Sequence, residues 1–376
     1  MTHSLPHEAD VVVIGSGIFG AAVAYNLAAQ GADVVMVERG EFCGEASGAN
    51  VGLITVSTKA PGLLLDLALL SADLYEKMPE MLGKDVQYQR VGGLVLAGTP
   101  AELDARRTLT EAQRAVGVDI RHISAEEALD LEPALPETVL GGAFCPMDGY
   151  VYPFAVVEAY LDKARALGVT MMARTEVTGI TVEDGRATGV ETSRGPIRAR
   201  WVVNAAGSWA GEVSALAGIQ APTVPVRGQV MVTEPLPLII KHVILGVTSF
   251  RQTWAGNALI GGTTEKVGHD KENTLAVIRQ LARGTIAVYP QLRDVQVLRI
   301  WAGLRPGTPD EMPLLGESRQ IKGFVVAGGA FRNGMLYGPA VGQVIAEEIL
   351  GKPLSVNIDV ARPERFVVGE RATPVA

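Results

Sequence analysis

The chain has 376 residues, 48% of them hydrophobic, with 33 basic against 41 acidic side chains and a net charge of −8. This length exceeds one ordinary core and allows two domains, while the acidic balance and the lack of a basic run interleaved with aromatics exclude a nucleic-acid surface. Its two cysteines, Cys43 and Cys145, are far apart and lack metal-ligand spacing, so reduced thiols in a cytoplasmic protein are expected and a metal site is not.

Residues 1–8 are polar and carry no basic flank followed by an apolar run, which argues against a secretory signal. Residues 9–14 then read as a buried parallel strand running into Gly15-Ser16-Gly17-Ile18-Phe19-Gly20, a helix follows to Gln30, and residues 33–38 form a second strand ending in Glu38. In such a βαβ fingerprint Gly15 permits the tight turn, Gly17 lets the backbone approach a pyrophosphate at the helix N-terminus, and Gly20 allows close helix–strand packing. Glu38, eighteen residues after Gly20, is placed to accept hydrogen bonds from adenosine ribose hydroxyls. Residues 41–55 are small and polar, a loop able to lie flat against a ligand.

The apolar stretch at 63–74 is broken by Asp66 and Asp73 and is too short to span a bilayer; it reads as an amphipathic helix of a cap. A strand near 91–96 and two charged helices through Leu131 come next. A helix over 154–167 stops at Gly168, a strand covers 169–173, and a hairpin pairs 176–182 with 189–192 about Glu183-Asp184-Gly185. Residues 200–209 are an apolar strand ending in small residues, which allows a second backbone approach to the dinucleotide. The cofactor-binding domain is therefore expected to be discontinuous, over 1–60, 148–215 and 297–360. The substrate-binding domain occupies 61–147 and 216–296, and 361–376 is a tail.

Near the far end, Arg305 and Arg332 sit in Gly-rich, apolar surroundings. An arginine costs free energy to bury unless it meets an anion, so the pair suggests a carboxylate site. Gly338-Pro339 is expected to open a last helix running through Leu350, with Pro339 in its first turn. Its dipole would favour negative charge on a ligand at its N-terminus. The five histidines form no spacing that suggests a site.

Four motifs together, Gly15-x-Gly17-x-x-Gly20 with Glu38, Val203-Asn204-Ala205-Ala206-Gly207-x-Trp209, Trp301-Ala302-Gly303-Leu304-Arg305-Pro306 and Phe331-Arg332-Asn333-Gly334, carry a resemblance. Over essentially its whole length the chain resembles the FAD-dependent amine oxidoreductases of the D-amino-acid oxidase superfamily. It looks most like the glycine and sarcosine oxidases and the flavin subunits of heteromeric opine, proline and hydroxyproline dehydrogenases and hydrogen cyanide synthase. The resemblance implies an α/β (α+β) fold: a discontinuous Rossmann-like FAD-binding domain with an inserted substrate domain on a largely antiparallel sheet. It also implies that Ile18 and Phe19 lie by the pyrophosphate, Glu38 and Arg39 by the adenosine, and Val177 by adenine through its backbone. Ala46, Ser47, Asn50, Val51 and Gly52 would line the diphosphate and isoalloxazine. Ala206 and Gly207 would approach the dinucleotide, and Gly303, Ala330, Phe331, Asn333, Gly334, Met335 and Leu336 the flavin ring. Arg305 and Arg332 would face the substrate carboxylate. The implied reaction is oxidation of a C–N bond by hydride transfer to flavin N5, with geometry supplying most of the rate.

Two departures shape the expectation. No tyrosine occurs between Tyr160 and Tyr289, where glycine oxidase carries one before its pocket, and the stretch at 249–254 offers Arg251 and Gln252 toward a larger, more polar substrate instead. Leu259 stands where sarcosine oxidases use a lysine for oxygen, and no thiol lies near Gly303 to attach flavin. The resemblance thus implies noncovalent FAD in the catalytic subunit of a heteromeric dehydrogenase. FMN could sit at a subunit interface and an iron–sulfur centre in another chain, since this chain has no cysteine cluster. A self-sufficient oxidase producing peroxide and a non-catalytic assembly or electron-relay subunit stay open, as does peripheral membrane association.

Overall fold

The computed structural model describes residues 6–246 and 249–366; residues 1–5 and most of the expected tail, 367–376, lie outside the described residues. Two eight-stranded sheets dominate the architecture. In the first, strand Glu8–Ile14 lies centrally between the parallel strands Val34–Val37 and Gly195–Asn204, with Thr170–Met172 and Phe324–Gly328 extending the parallel array on either side. Val34–Val37, Phe324–Gly328 and the last four residues of Glu8–Ile14 are buried on both faces and read as continuous apolar runs, as covered parallel sheets require, while Gly195–Asn204 alternates over its first half. The antiparallel hairpin of Val177–Glu183 and Arg186–Thr192 joins this sheet through Gly195–Asn204. This is the Rossmann-like α/β arrangement that the βαβ pattern anticipated.

Helix Ile18–Ala28 is buried almost all round, consistent with its apolar, Ala-rich composition. It packs against Gly334–Ile349 at glycine contacts. A Cβ on Gly338 would come 2.3 Å from Ile18 Cγ1, and one on Gly342 2.5 Å from Ala22 Cβ. This four-residue spacing puts both missing side chains on one helix face, so the two backbones approach closely.

The last helix starts at Gly334, four residues earlier than Gly338-Pro339 suggests, and Pro339 lies inside it. A mid-helix proline leaves the carbonyl four residues back without its intrahelical donor. Here the Tyr75 hydroxyl donates to Met335 O at 2.6 Å, and Ser71 Oγ accepts the Ala340 N–H at 3.1 Å. Both side chains come from one face of helix Leu63–Leu82. That helix therefore docks on the last helix, although its sequence suggested a cap over the substrate domain.

The second sheet runs Val297–Gly307, Val224–Pro235, Asn257–Gly261, Ser249–Gln252, Val243–Leu245, Gly93–Leu96, Gly142–Cys145 and Arg121–Ile123 in order. All its pairs are antiparallel except Val243–Leu245 with Gly93–Leu96. Strand Val297–Gly307 thus belongs to this sheet, in register with Val224–Pro235, whereas the sequence grouped it with the cofactor-binding segments. Among the described residues no helix is long and apolar enough to cross a membrane.

Candidate active site

Steric exclusion builds the fingerprint turn. Gly15 has φ of 100°, and a Cβ there would lie 2.5 Å from Ala205 O; one on Gly20 would lie 2.0 Å from Gly15 O. Each position therefore excludes any side chain. The second small-residue turn packs onto the first because Ala205 N donates to Ile14 O, and Asn204 Oδ1 accepts from Ala206 N at 3.2 Å while its amide donates to Ala210 O and Ser214 Oγ.

No side chain of its own segment caps helix Ile18–Ala28. Its first N–H, on Ile18, donates instead to Ser47 Oγ at 2.9 Å, which brings the 45–52 loop to the helix N-terminus. That loop contains a short helix, Ala46–Ala49, followed by Asn50, whose amide donates to Ser47 O and whose Oδ1 accepts from Gly52 N. The Glu38 carboxylate stands at the fingerprint turn, with Oε2 accepting from Ser16 N and Oγ and Oε1 from Gly40 N. Glu38 O accepts from Thr175 N, two residues before Val177. Arg39 lies 3.7 Å above the Trp209 ring, with its Nη2 3.9 Å from Glu45. Two turns stripped of side chains, a helix N-terminus and an acid at the end of the second strand fit an extended dinucleotide diphosphate.

Cross-strand and turn contacts bring the arginine motifs together. Trp301 Nε1 donates to Ala49 O at 2.8 Å, and a Cβ on Gly303 would strike Ala49 Cβ at 2.7 Å. Gly303 thus lets the strand lie against the short helix of the 45–52 loop. Farther along the strand, Phe331 N donates to Pro306 O at 2.8 Å, fixing the turn at Ala330, Phe331 and Asn333 next to Arg305. Phe331 holds φ of 46°, a strained conformation for an aromatic residue of the kind found at working sites.

The two guanidiniums meet on neighbouring residues. Arg305 Nη1 donates to Thr263 O at 2.7 Å and Arg332 Nη2 to Thr264 Oγ1 at 3.1 Å. Burial, with Arg332 nearby, pulls the Arg305 pKa down to about 10 against the partial support of Glu265. Glu265 is itself committed to Arg227 and Gln229, so neither site arginine has a carboxylate partner among the described residues. Gly228, opposite Gly303 on the neighbouring strand, makes room for Arg305: a Cβ there would sit 2.2 Å from its Nη1. Gly228, Thr263 and Thr264 carry no sequence signal of this role, because a glycine in a strand and small polar residues in a loop are commonplace.

Arg251 and Gln252 part from these groups. Gln252, 3% exposed, accepts from Ile239 N and Ile240 N and donates to Leu236 O, Pro237 O and Gly256 O. Its amide is used up in bracing backbone, so a substrate contact is replaced by a structural one. Arg251 is equally buried, donating to Val51 O and Val151 O and lying 4.2 Å from the Tyr150 ring centroid. It ties the 45–52 loop to the second sheet, and desolvation lowers its pKa to about 10.

A doubly wound sheet with two side-chain-free turns at a helix N-terminus fits a dinucleotide-dependent oxidoreductase. Residues 10–348 match the FAD dependent oxidoreductase (DAO) family, and the chain belongs to it. Its cofactor is FAD and it is an amine oxidoreductase. The chain is 30% identical to hydrogen cyanide synthase subunit HcnC of Pseudomonas aeruginosa, over 98% of either chain. Glycine oxidase from Geobacillus kaustophilus superposes with a TM-score of 0.91 at 26% identity, covering 96% of this chain and all of that one. L-Proline dehydrogenase from P. horikoshii does so with 0.90 at 29% identity, covering 97% and 100%.

Proposed function

We propose that the chain is the catalytic flavin subunit of a heteromeric dehydrogenase that oxidises the C–N bond of an N-substituted or D-amino acid of the opine, proline or hydroxyproline class. The convergence of Arg305 and Arg332 on Thr263 and Thr264 carries this reading. Both are cationic forks with donors to spare, Arg305 partly buried and Arg332 exposed beside it, for which a carboxylate is the natural counter-charge. Bound noncovalently, FAD supplies the two-electron acceptor for the amine's α-hydrogen. The chain's own residues orient the substrate, and Gly15, Gly17, Gly20, Glu38, Ser47 and the 330–336 segment hold the cofactor. The similarity to a synthase subunit supports the multi-subunit reading, with any FMN at a subunit boundary and any iron–sulfur centre in another chain.

A second reading, a self-sufficient oxidase of glycine or sarcosine, is favoured by the similarity to glycine oxidase. One experiment separates the two. Anaerobic titration of the yellow protein with glycine, sarcosine, proline, hydroxyproline and opines shows which reduces the flavin, and stopped-flow mixing of the reduced protein with oxygen follows. Slow reoxidation without peroxide supports the dehydrogenase, and rapid stoichiometric peroxide the oxidase. A flavin that no amine bleaches would sink both.

A further inference from the structure

Arg227 is buried, 4% exposed, on strand Val224–Pro235. Unlike Arg305 and Arg332, it has its charge matched within the chain: Nη2 donates to Glu265 at 2.7 Å and Nη1 to Asp270 at 2.6 Å. One guanidinium thus joins two carboxylates of a segment, 262–274, that forms neither helix nor strand. The backbones meet as well, since Arg227 N donates to Glu265 O at 2.8 Å and Glu265 N to Arg227 O at 3.0 Å. Gln229, two residues along on the same face of the strand, donates to Glu265 Oε1 at 3.0 Å and accepts from Thr274 N at 3.0 Å. A segment without a regular ladder of its own is therefore held by two side chains of one strand.

That segment carries the acceptors of the arginine pair. Thr263 O and Thr264 Oγ1 hold Arg305 and Arg332, and Thr263 Oγ1 accepts from Gln229 N at 2.7 Å. Farther along, the His269 ring stacks on Trp209 with centroids 4.9 Å apart, and Lys271 Nζ lies 3.1 Å from Glu45. The same stretch of chain thus touches the guanidiniums at one end and the cofactor loop at the other. Successive side chains of a strand point to opposite faces, and the Arg305 guanidinium lies over Gly228. Arg227 and Gln229 therefore grip the segment from the face away from Arg305. With two carboxylates on it, Arg227 is no anion site itself; it acts through the backbone that those carboxylates carry. Without it, the Glu265 carboxylate, 19% exposed, would lose its counter-charge and be drawn toward water, taking Thr263 and Thr264 with it.

We propose that Arg227 is a positioning residue of the substrate site: its clamp on Glu265 and Asp270 sets the 263–265 backbone so that Thr263 and Thr264 aim the Arg305 and Arg332 guanidiniums at one substrate carboxylate. The inference rests on reading those two arginines as the carboxylate anchor, and it adds the residue that orients them.

The test uses the FAD-loaded protein and two probes without an oxidisable amine, methoxyacetate and the neutral methoxyacetamide. Binding is followed by perturbation of the visible flavin spectrum, and thermal melting is measured in parallel. The wild type should favour the acid. Arg227→Met should lower the melting temperature and weaken methoxyacetate by about 10- to 100-fold, the order of loss that a misplacement of about 1 Å causes, and the preference for acid over amide should shrink with it. The double variant Arg227→Met/Glu265→Gln removes the stranded carboxylate, so it should recover most of the melting temperature and still bind the acid weakly. Recovery of acid binding together with melting would reduce Arg227 to a stability residue and overturn the proposal, as would wild-type acid binding in Arg227→Met. If neither variant holds FAD, Glu265→Gln decides, because it weakens one arm of the clamp: acid binding should fall about 3- to 10-fold, and unchanged binding overturns the proposal. A wild type that prefers the acid, with variants that bind it equally well, sinks the clamp alone; a wild type indifferent between acid and amide sinks the arginine anchor as well.

Discussion

At residues 15–20 the molecule makes room for its cofactor by omitting side chains, whereas at Arg305 and Arg332 it sets two cations side by side with no ion-pair partner among the described residues. In the first region a Cβ on Gly20 would overlap Gly15 O at 2.0 Å, and hard-sphere repulsion between backbone atoms has no flexible partner to yield. In the second, the arginines lack an ion-pair partner and the free energy is stored as unmet charge. Steric sites therefore tolerate no substitution, while electrostatic sites tolerate many and lose function in proportion to the charge removed. The same contrast separates folding from chemistry in this chain.

Gly20→Ala should produce the largest effect. Backbone cannot move away at 2.0 Å, so overpacking of about 3 kcal/mol or more is expected, with colourless protein after gel filtration. If Gly20→Ala stays yellow and melts normally, the steric account of that turn is wrong. Arg305→Ala should keep its flavin and its fold but lose about 2–5 kcal/mol of carboxylate binding, seen as a fall of two to three decades in the anaerobic reduction rate at fixed substrate. A smaller loss would mean that Arg332 suffices.

Gly228→Ala tests a steric device inside the electrostatic region. The atom it meets is the mobile end of Arg305 at 2.2 Å, so the guanidinium should shift while the strand stays. The expected result is a loss of about 10- to 100-fold in substrate efficiency with an unchanged melting temperature; an unfolded variant would place Gly228 with Gly20 instead.

The smallest effect is a gain. Lys59, 6% exposed, titrates near 8 when folded and near 10.5 when unfolded, so between these values the unfolded chain binds more protons and wild-type stability rises with pH. Below about pH 8 the buried charge costs stability in full. Lys59→Met should therefore stabilise the protein at neutral pH, on the order of 2 kcal/mol, and that gain should vanish above about pH 10.5. Denaturant melts at pH 7 and near pH 10.5 check both halves, and a pH-independent difference would refute a charged Lys59.

The cofactor side of the site was legible because its signals are local. Gly15, Gly17, Gly20 and Glu38 fall in one strand–turn–helix–strand run, and the small residues after Val203 pack where that run demands. The start of the last helix was misread because Pro339 usually marks a first turn; its carbonyl debt is settled by Tyr75, which is remote in sequence and invisible to a local rule. Gln252 looked like a polar residue free to face a ligand, yet the sheet turns it inward onto five backbone groups. Lys59 drew no attention at all, since a lone lysine in a loop is ordinarily solvated.

By itself, then, the sequence determined the dinucleotide-binding unit and the presence of two arginines in want of an anion, because steric exclusion and hydrophobic periodicity act between near neighbours; the flavin was implied by the family resemblance. Tertiary structure alone decided which cations come together. Strand register set Gly228 beneath Arg305, and the Phe331–Pro306 hydrogen bond drew Arg332 alongside. Charges feel each other through space and not along the chain, so their grouping emerges only once distant segments are packed together.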